Sequence, residues 1–279
     1  MQKGLQALLM MFALLATVTT ADAQQAADPR VADLVRASKL RVALFRPLYT
    51  KDPVTGEVRG IGAGVASLEI ARALAARLGV EVLLLGYPTP PEVAECLKAG
   101  TCDAAIWWGI EPSGATEVGF SPPFMQLDYT YLVPAGSSIR SVDDADRPGV
   151  RVAAVRNDAS TLVLSRILKQ AKLVYPKDPT LDLLRTFELL ATGNADAMAS
   201  SRPVLLGFST GLPGSRVLED RYGVHPVAMA VPKGQAGWLA YISEFIEEAK
   251  ASGLVQRSIE RARLHGIQVA PPGNPNAQK

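Results

Sequence analysis

The feature that most constrains the fold is a regular alternation of short apolar runs with Ala- and Leu-rich amphipathic segments. Residues 40–45, 80–85 and 104–108 are apolar runs and are predicted strands. Between them, residues 67–78 and 89–100 have the composition of helices, and a glycine ends each one. A β-α-β-α-β order of this kind predicts an α/β fold, in which helices cover a mostly parallel sheet.

A second set of the same kind follows along the chain. Residues 151–155 and 172–174 are predicted strands on either side of a helix at 160–170. Two extended segments, 129–133 and 224–231, connect the two sets and are predicted to form a hinge. The chain is therefore predicted to have two α/β lobes joined by two hinge strands. The predicted parts are a first lobe at 36–130 and 228–267, a second lobe at 135–223, and a disordered tail at 268–279.

Residues 1–23 have the pattern of a secretory signal peptide. Lys3 supplies the positive start, residues 7–18 are uncharged and mostly apolar, and Ala21-Asp22-Ala23 gives a cleavage site before Gln24. The apolar run is shorter than the ~20 residues that span a bilayer; an N-terminal anchor helix is the alternative. No later apolar run approaches that length. We therefore expect a soluble protein that is exported to the periplasm.

Charge and residue usage exclude several classes of partner. The chain has 29 Lys and Arg against 27 Asp and Glu, a net charge of +2, which argues against nucleic acid. Its two histidines, His225 and His265, lack the spacing of metal ligands, so no metal site is predicted. Cys96 and Cys102 either form a disulfide, which export to an oxidising compartment permits, or remain two small buried thiols.

Two glycine motifs lack the context that their chemistry needs. Residues 60–64 (GIGAG) are followed by Val65 where a dinucleotide fingerprint requires glycine, and they do not directly follow a strand. Residues 207–211 (GFSTG) match a nucleophile elbow, but Pro213 and Gly214 interrupt the helix that an elbow requires. We therefore expect no cofactor and no serine hydrolase, and we interpret residues 60–64 as a flexible loop before a helix.

Five segments match one protein family in their order and spacing. They are residues 97–105 (LKAGTCDAA), 120–124 (FSPPF), 131–137 (YLVPAGS), 193–197 (GNADA) and 231–234 (VPKG). With them the chain resembles the periplasmic solute-binding proteins of ABC importers, family 3, which is typified by binders of polar amino acids. The resemblance implies the two-lobed type II fold, closure on a small solute, and delivery to an inner-membrane permease. We expect a monomer.

The chain departs from that family where an α-amino acid would be bound. Members that bind α-amino acids usually carry an Arg where this chain has Gly114, and an Asp where it has Ser201. A glycine cannot replace the forked donors that match a carboxylate. The resemblance therefore implies a solute other than a standard α-amino acid. A small organic anion with an aromatic or apolar body fits the remaining side chains.

The candidate site follows from the position of the strands. Ligands of open α/β sheets bind beyond the carboxyl ends of the strands. The helix start at Ser160 either offers N–H groups and a favourable dipole to an anion, or is simply capped by Asp158. The candidate ligand-binding residues are Arg46, Tyr49, Trp108, Glu111, Arg156, Ser160, Thr161, Ser201 and Arg202.

Two other functions remain open at this point. Some proteins of this fold are periplasmic dehydratases, which need a carboxylic acid in the cleft, and Glu69 or Glu111 is a candidate for that acid. Others are accessory or sensor proteins, such as those associated with periplasmic quinoprotein dehydrogenases. Turnover of a bound solute would indicate the first function, and binding to a protein without any solute would indicate the second. We expect a binding protein that performs no catalysis.

Overall fold

A computed structural model describes residues 29–45, 49–60, 62–109, 118–156, 158–177 and 182–273. The predicted signal peptide lies outside these ranges. The strands are β1 (Lys39–Phe45), β2 (Tyr49–Lys51), β3 (Val58–Gly60), β4 (Glu81–Tyr87), β5 (Ala104–Gly109), β6 (Val118–Phe120), β7 (Met125–Val133), β8 (Arg151–Ala153), β9 (Lys172–Val174), β10 (Ala197–Ser201), β11 (Arg216–Val217), β12 (Gly223–Pro232) and β13 (Ile267–Val269). The helices are α1 (Ala32–Ala37), α2 (Ala63–Leu78), α3 (Pro90–Lys98), α4 (Ala159–Ile167), α5 (Asp182–Ala191), α6 (Arg202–Ser209), α7 (Ala236–Ala251) and α8 (Leu254–Arg261).

The strands confirm the predicted two-lobed α/β fold. The main path through the sheet is β4-β1-β5-β12-β7-β10-β8-β9. In the first lobe β1 pairs in parallel with β4 and β5, and in the second lobe β8 pairs in parallel with β9 and β10. The predicted hinge segments lie within β7 and β12. These two strands pair with each other in antiparallel register, from Gly223 opposite Tyr129 to Val227 opposite Met125.

Each lobe has its own hydrophobic core. In the first lobe α2 and α7 pack their apolar stripes on the strands, and α3 covers the other face of the sheet. In the second lobe α4 packs on one face and α5 and α6 on the other. Representative core residues are Val42, Ile70, Leu74, Ile242 and Ile246 in the first lobe, and Tyr131, Val152, Leu164, Met198 and Leu205 in the second. Within the described ranges, no helix has the length and hydrophobicity of a membrane span.

Each lobe contains an arginine–aspartate pair with the same hydrogen bonds. In the first lobe Arg41 donates to both carboxylate oxygens of Asp103, at 3.1 and 2.6 Å, and to the Gly100 carbonyl at 2.8 Å. In the second lobe Arg151 donates to both oxygens of Asp196, at 3.1 and 2.8 Å, and to the carbonyl of the corresponding glycine at 2.9 Å. The same sequence pattern, L-x-x-G-x-x-D-A, occurs at these pairs in both lobes, at 97–104 and at 190–197. Both lobes are therefore built on the same local unit.

A disulfide joins Cys96 and Cys102, whose Cα atoms are 5.4 Å apart. It closes the turn after α3, where the N–H groups of residues 101 and 102 donate to the Cys96 carbonyl. At the same place in the second lobe, the N–H groups of residues 194 and 195 donate to the Leu189 carbonyl. Leu189 and Ala195 occupy the positions of the two cysteines there. The backbone turn therefore forms without a covalent bond.

The structure differs from the sequence prediction at several places. The segment 60–64 is not only a loop, because Gly60 ends β3 and α2 already begins at Ala63. Residues 49–60, for which the sequence predicts no element, form the hairpin β2–β3, because the Asp52 carboxylate accepts the N–H groups of Val54 and Thr55 at 2.8 and 2.9 Å and closes the turn. Strand β13 extends to Val269, inside the predicted tail, because it pairs with β7 and buries Ile267. The described chain is thus ordered a few residues beyond the predicted boundary of the first lobe.

Candidate functional site

The start of α4 collects three of the predicted site residues in the second lobe. Residues 154–156 follow the carboxyl end of β8, and Asp158 directly precedes the helix. Asp158 caps the helix, and its carboxylate accepts the backbone N–H of Ser160 at 2.9 Å and the Ser160 hydroxyl as well. Ser160 and Thr161 are both buried, 1% and 4% exposed. The Thr161 hydroxyl has no hydrogen-bond partner among the described residues.

The start of α4 has a partial positive charge, and the Asp158 carboxylate already lies against it. Aligned peptide dipoles give the N-terminus of a helix a partial positive charge, and its first N–H groups point outward. The Asp158 carboxylate accepts one of those groups, so the capping interpretation is confirmed, and the anion-binding interpretation stays a prediction. Among the described residues, the buried Thr161 hydroxyl of the first turn has no hydrogen-bond partner. An unpartnered buried hydroxyl is unfavourable until it finds an acceptor or donor.

Arg156 stands beside this helix start. Its guanidinium carbon lies 4.4 Å from the centroid of the Tyr175 ring, and the side chain is exposed. Tyr175 directly follows β9, so the pair sits at the carboxyl ends of two neighbouring parallel strands. The Arg156 guanidinium makes no salt bridge to a described residue. A position over an aromatic face holds the cation in place and leaves the N–H donors, which lie in the plane of the guanidinium, available.

A group of buried and half-buried rings lines the hinge strands near the same helix. The Tyr129 hydroxyl and His225 Nδ1 are 2.7 Å apart, and Tyr222 stacks on Tyr129 with ring centroids 5.9 Å apart. Burial lowers the pKa of His225, and the nearby Asp158 carboxylate partly opposes this shift. Burial also raises the pKa of the Tyr222 phenol. The sequence analysis missed these residues, although the alternation along residues 129–133 already places Tyr129 and Tyr131 on one face of a hinge strand.

Tyr49 belongs to the first lobe. It begins β2, opposite Gly60 on β3, and is 7% exposed. Burial raises the pKa of its phenol. Neither its hydroxyl nor that of Ser67 in α2 makes a hydrogen bond of normal geometry within the described ranges. Tyr49 is therefore a mostly buried ring whose hydroxyl lies near Ser67 of α2.

Ser201 and Arg202 occupy the end of β10 and the start of α6. Ser201 is half-buried and lies opposite Tyr129 in the sheet. Each nitrogen of the Arg202 guanidinium donates to a protein acceptor: the carboxylate of Asp128 at 3.3 Å, and backbone carbonyls of residues 218, 219 and 220. Its side chain is only 11% exposed. Arg202 therefore holds protein groups together in this structure.

The remaining predicted positions fall wholly or partly outside the described residues. Arg46, Glu111 and Gly114 lie outside the described residues. Trp108 lies on β5 opposite Ala228 of β12, but its side chain also lies outside the description. Among the described residues, no group of three or more His, Cys, Asp or Glu side chains is arranged to hold a metal ion.

Comparison with known proteins identifies the family. Residues 50–262 match the model of the bacterial extracellular solute-binding proteins, family 3. This chain belongs to that family. The ABC transporter glutamine-binding protein GlnH of Bacillus subtilis (strain 168) is 24% identical over 205 residues, which cover 73% of this chain and 72% of GlnH. The virulence sensor protein BvgS of Bordetella pertussis is 29% identical over 161 residues, which cover 57% of this chain but only 12% of BvgS.

Solved structures of solute-binding proteins share the fold. An ancestral cationic amino acid solute-binding protein aligns with a TM-score of 0.62 and 24% identity, covering 83% of this chain and 98% of that chain. AbpA of Streptococcus pneumoniae, an amino acid ABC transporter substrate-binding protein bound to L-arginine, aligns with a TM-score of 0.57 and 24% identity, covering 82% and 97%. An ancestral amino acid-binding protein described as a precursor of cyclohexadienyl dehydratase aligns with a TM-score of 0.59 and 24% identity, covering 83% and 97%. The fold and the family predicted from the sequence are both confirmed.

Proposed function

We propose that this protein is an exported, periplasmic solute-binding protein that closes on a small organic anion and delivers it to the permease of an ABC importer. Family membership supports solute binding for an importer. The predicted signal peptide supports export. In proteins of this architecture, closure of two lobes around a ligand excludes water from it and strengthens its polar contacts.

The observation that supports an anionic ligand is the position of the Arg156 guanidinium over the Tyr175 ring, beside the start of α4. A guanidinium with available donors matches a carboxylate in a bidentate geometry. The helix N-terminus adds partial positive charge at the same place. In this proposal Arg156, Ser160 and Thr161 bind the anionic group. Arg46, Tyr49, Trp108, Glu111 and Ser201 contact the rest of the solute.

The proposed solute is not a standard α-amino acid. Gly114 and Ser201 occupy the positions where the family usually has an Arg that binds the α-carboxylate and an Asp that binds the α-ammonium group. Arg202 does not replace them, because its donors are occupied by Asp128 and by backbone carbonyls. An aromatic or apolar body on the solute would suit the tryptophan and tyrosine positions of the candidate site.

The test is a thermal-shift screen of the mature protein against amino acids, organic acids, amines and sugars. A ligand at 100 times its Kd stabilises the folded state by about 2.7 kcal/mol, which a melt detects readily. We expect an organic acid to raise the Tm and the twenty standard amino acids to leave it unchanged. Tight binding of an ordinary α-amino acid would overturn the proposed ligand class.

A matched pair of variants tests the site itself. Arg156→Ala should weaken binding of the organic acid at least about tenfold, as expected for loss of a charged hydrogen bond. Arg166→Ala is the control, because Arg166 is an exposed arginine at the other end of α4. It should change the affinity less than twofold. Equal effects of the two variants would remove Arg156 from the site.

Two alternative functions are outcomes of the same experiments. The likeness to a precursor of cyclohexadienyl dehydratase is the reason to test for turnover. Mass spectrometry of the bound solute after prolonged incubation should recover it unchanged, and a dehydrated product would show an enzyme. The match to part of BvgS is the reason to test for a sensor or accessory role. Retained binding to a protein partner, with no solute found in the screen, would favour that role.

A further inference from the structure

Asp128 lies where the hinge strand β7 changes partners. On one side of it, Leu127 is opposite Ile267 of β13, which belongs to the first lobe. On the other side, Tyr129 is opposite Ser201 of β10, which belongs to the second lobe. Rotation of one lobe against the other must be absorbed by the backbone between these two pairings. Asp128 therefore marks the pivot of β7.

The Asp128 carboxylate is buried and holds groups from both lobes. Its side chain is 8% exposed. One oxygen accepts from Arg221 at 2.9 Å, and the other accepts from Arg202 at 3.3 Å. The Gln268 side-chain amide, on β13, donates to both oxygens at 3.4 and 3.2 Å. We call Asp128, Arg202, Arg221 and Gln268 the hinge bracket.

Arg202 extends the hinge bracket across the back of the hinge. Its other two nitrogens donate to the carbonyls of residues 218–220, in the loop that follows β11. Its aliphatic stem packs on Gly266, where a Cβ atom would lie 2.4–2.6 Å from the Arg202 side chain. Gly266 precedes β13, and its carbonyl accepts the backbone N–H of Asp128 at 3.3 Å. The C-terminal part of the first lobe thus rests directly on a side chain of the second.

We infer that the hinge bracket sets the equilibrium between the open and closed arrangements of the two lobes in the solute-free protein. A buried carboxylate is stable only with its partners in place, so breaking one contact leaves an uncompensated charge. The bracket spans both lobes at the pivot of β7, so lobe rotation must alter its contacts. The hinge bracket therefore stabilises the arrangement of the lobes in which its contacts are formed, and breaking it should shift the population away from that arrangement. The inference rests on the proposed function only in assuming that the lobes move.

The experiment measures lobe arrangement without any solute. Spin labels on Val54→Cys in the β2–β3 turn and Ile167→Cys at the end of α4 report the distance between the lobes, because both side chains are exposed. Asp128→Asn should change the ratio of the two distance populations by at least about fivefold, the lower range of couplings between protein states. Arg221→Gln is a milder variant, since Arg221 is 45% exposed, and it should shift the ratio in the same direction.

The control is Asp196→Asn. Asp196 accepts three hydrogen bonds from Arg151, two from the guanidinium and one from the backbone N–H, and both residues lie within the second lobe. This variant should lower the Tm and leave the distance populations within twofold of the parent. Unchanged populations in Asp128→Asn and Arg221→Gln, or an equal change in Asp196→Asn, would overturn the inference. Since no solute is present, failure of the proposed function would not affect this result.

Discussion

The disulfide offers a prediction whose size follows from the structure. Cys96 and Cys102 are six positions apart, and the second lobe forms the same turn with Leu189 and Ala195. The double variant Cys96→Leu, Cys102→Ala places in the first lobe the two residues that occupy these positions in the second lobe. The folded turn should therefore still form. What is lost is the restriction on the unfolded chain. For a closed loop this short the chain-entropy relation gives about 2.3 kcal/mol of stability.

Intrinsic fluorescence is a suitable assay, because the three tryptophans, Trp107, Trp108 and Trp238, all fall in the first lobe. Trp238 is 5% exposed and donates its indole N–H to the Asp103 carbonyl at 2.8 Å, next to the disulfide turn. Urea unfolding followed by fluorescence should therefore show the loss of about 2.3 kcal/mol in the transition of the first lobe.

The control is the same titration in a reducing agent. Wild type then loses its cross-link, so the difference between wild type and the double variant should vanish. A difference below about 0.5 kcal/mol in the oxidised proteins would refute the reasoning, because the turn would then be equally constrained without the bond. Failure of the double variant to fold would also refute it, since the second lobe would no longer be a valid template for the first.

The remaining predictions concern single side chains. Burial holds the pKa of His225 below its ordinary value of 6.5, so the unfolded chain binds the proton first as pH falls. His225 should therefore lower the stability of the wild type below pH 6.5, by at most about 1.4 kcal/mol per pH unit from this residue, and His225→Gln should flatten the decline in urea titrations between pH 7 and 5. Asp158→Ala removes the cap of α4 and should lower the unfolding free energy by about 0.5–2 kcal/mol; a smaller loss would show that the cap is replaced by other groups. Gly266→Ala should lower the Tm more than Gly136→Ala, because both glycines have similar positive φ, +75° and +73°, but only the first would place its Cβ against Arg202; equal losses would contradict that packing.

The sequence was sufficient for the architecture because the architecture depends on periodicity. Alternating apolar runs located the strands, and two extended segments outside that alternation located β7 and β12. The hairpin β2–β3 was missed because a side-chain cap at Asp52 closes it, and a single acid in a turn gives no distinctive pattern. Strand β13 was not predicted, because only three residues form it and its stability comes from pairing with β7.

The candidate site was harder to predict because contacts at a distance decide it. Arg156 and Arg202 look alike in the sequence, since each follows a strand in the second lobe. In the structure Arg156 stacks on Tyr175 and stays exposed, whereas Arg202 is held by Asp128 and three carbonyls. The acceptors of Arg202 lie far away along the chain. Sequence position alone therefore identifies an arginine as a candidate ligand-binding residue, but it does not show whether the N–H donors of that arginine are available.

The position of β12 in the sheet also determines which lobe can finish folding first as the chain is synthesised. Strand β5 ends at Gly109, and its neighbour β12 does not begin until Gly223. By then the strands β7, β8, β9 and β10 have all been supplied, so the second lobe can assemble first. Until β12 arrives, β5 presents an unpaired edge, which is prone to association with other chains, and its closure needs a contact distant in sequence. The lobe that is synthesised first is thus the last to be completed.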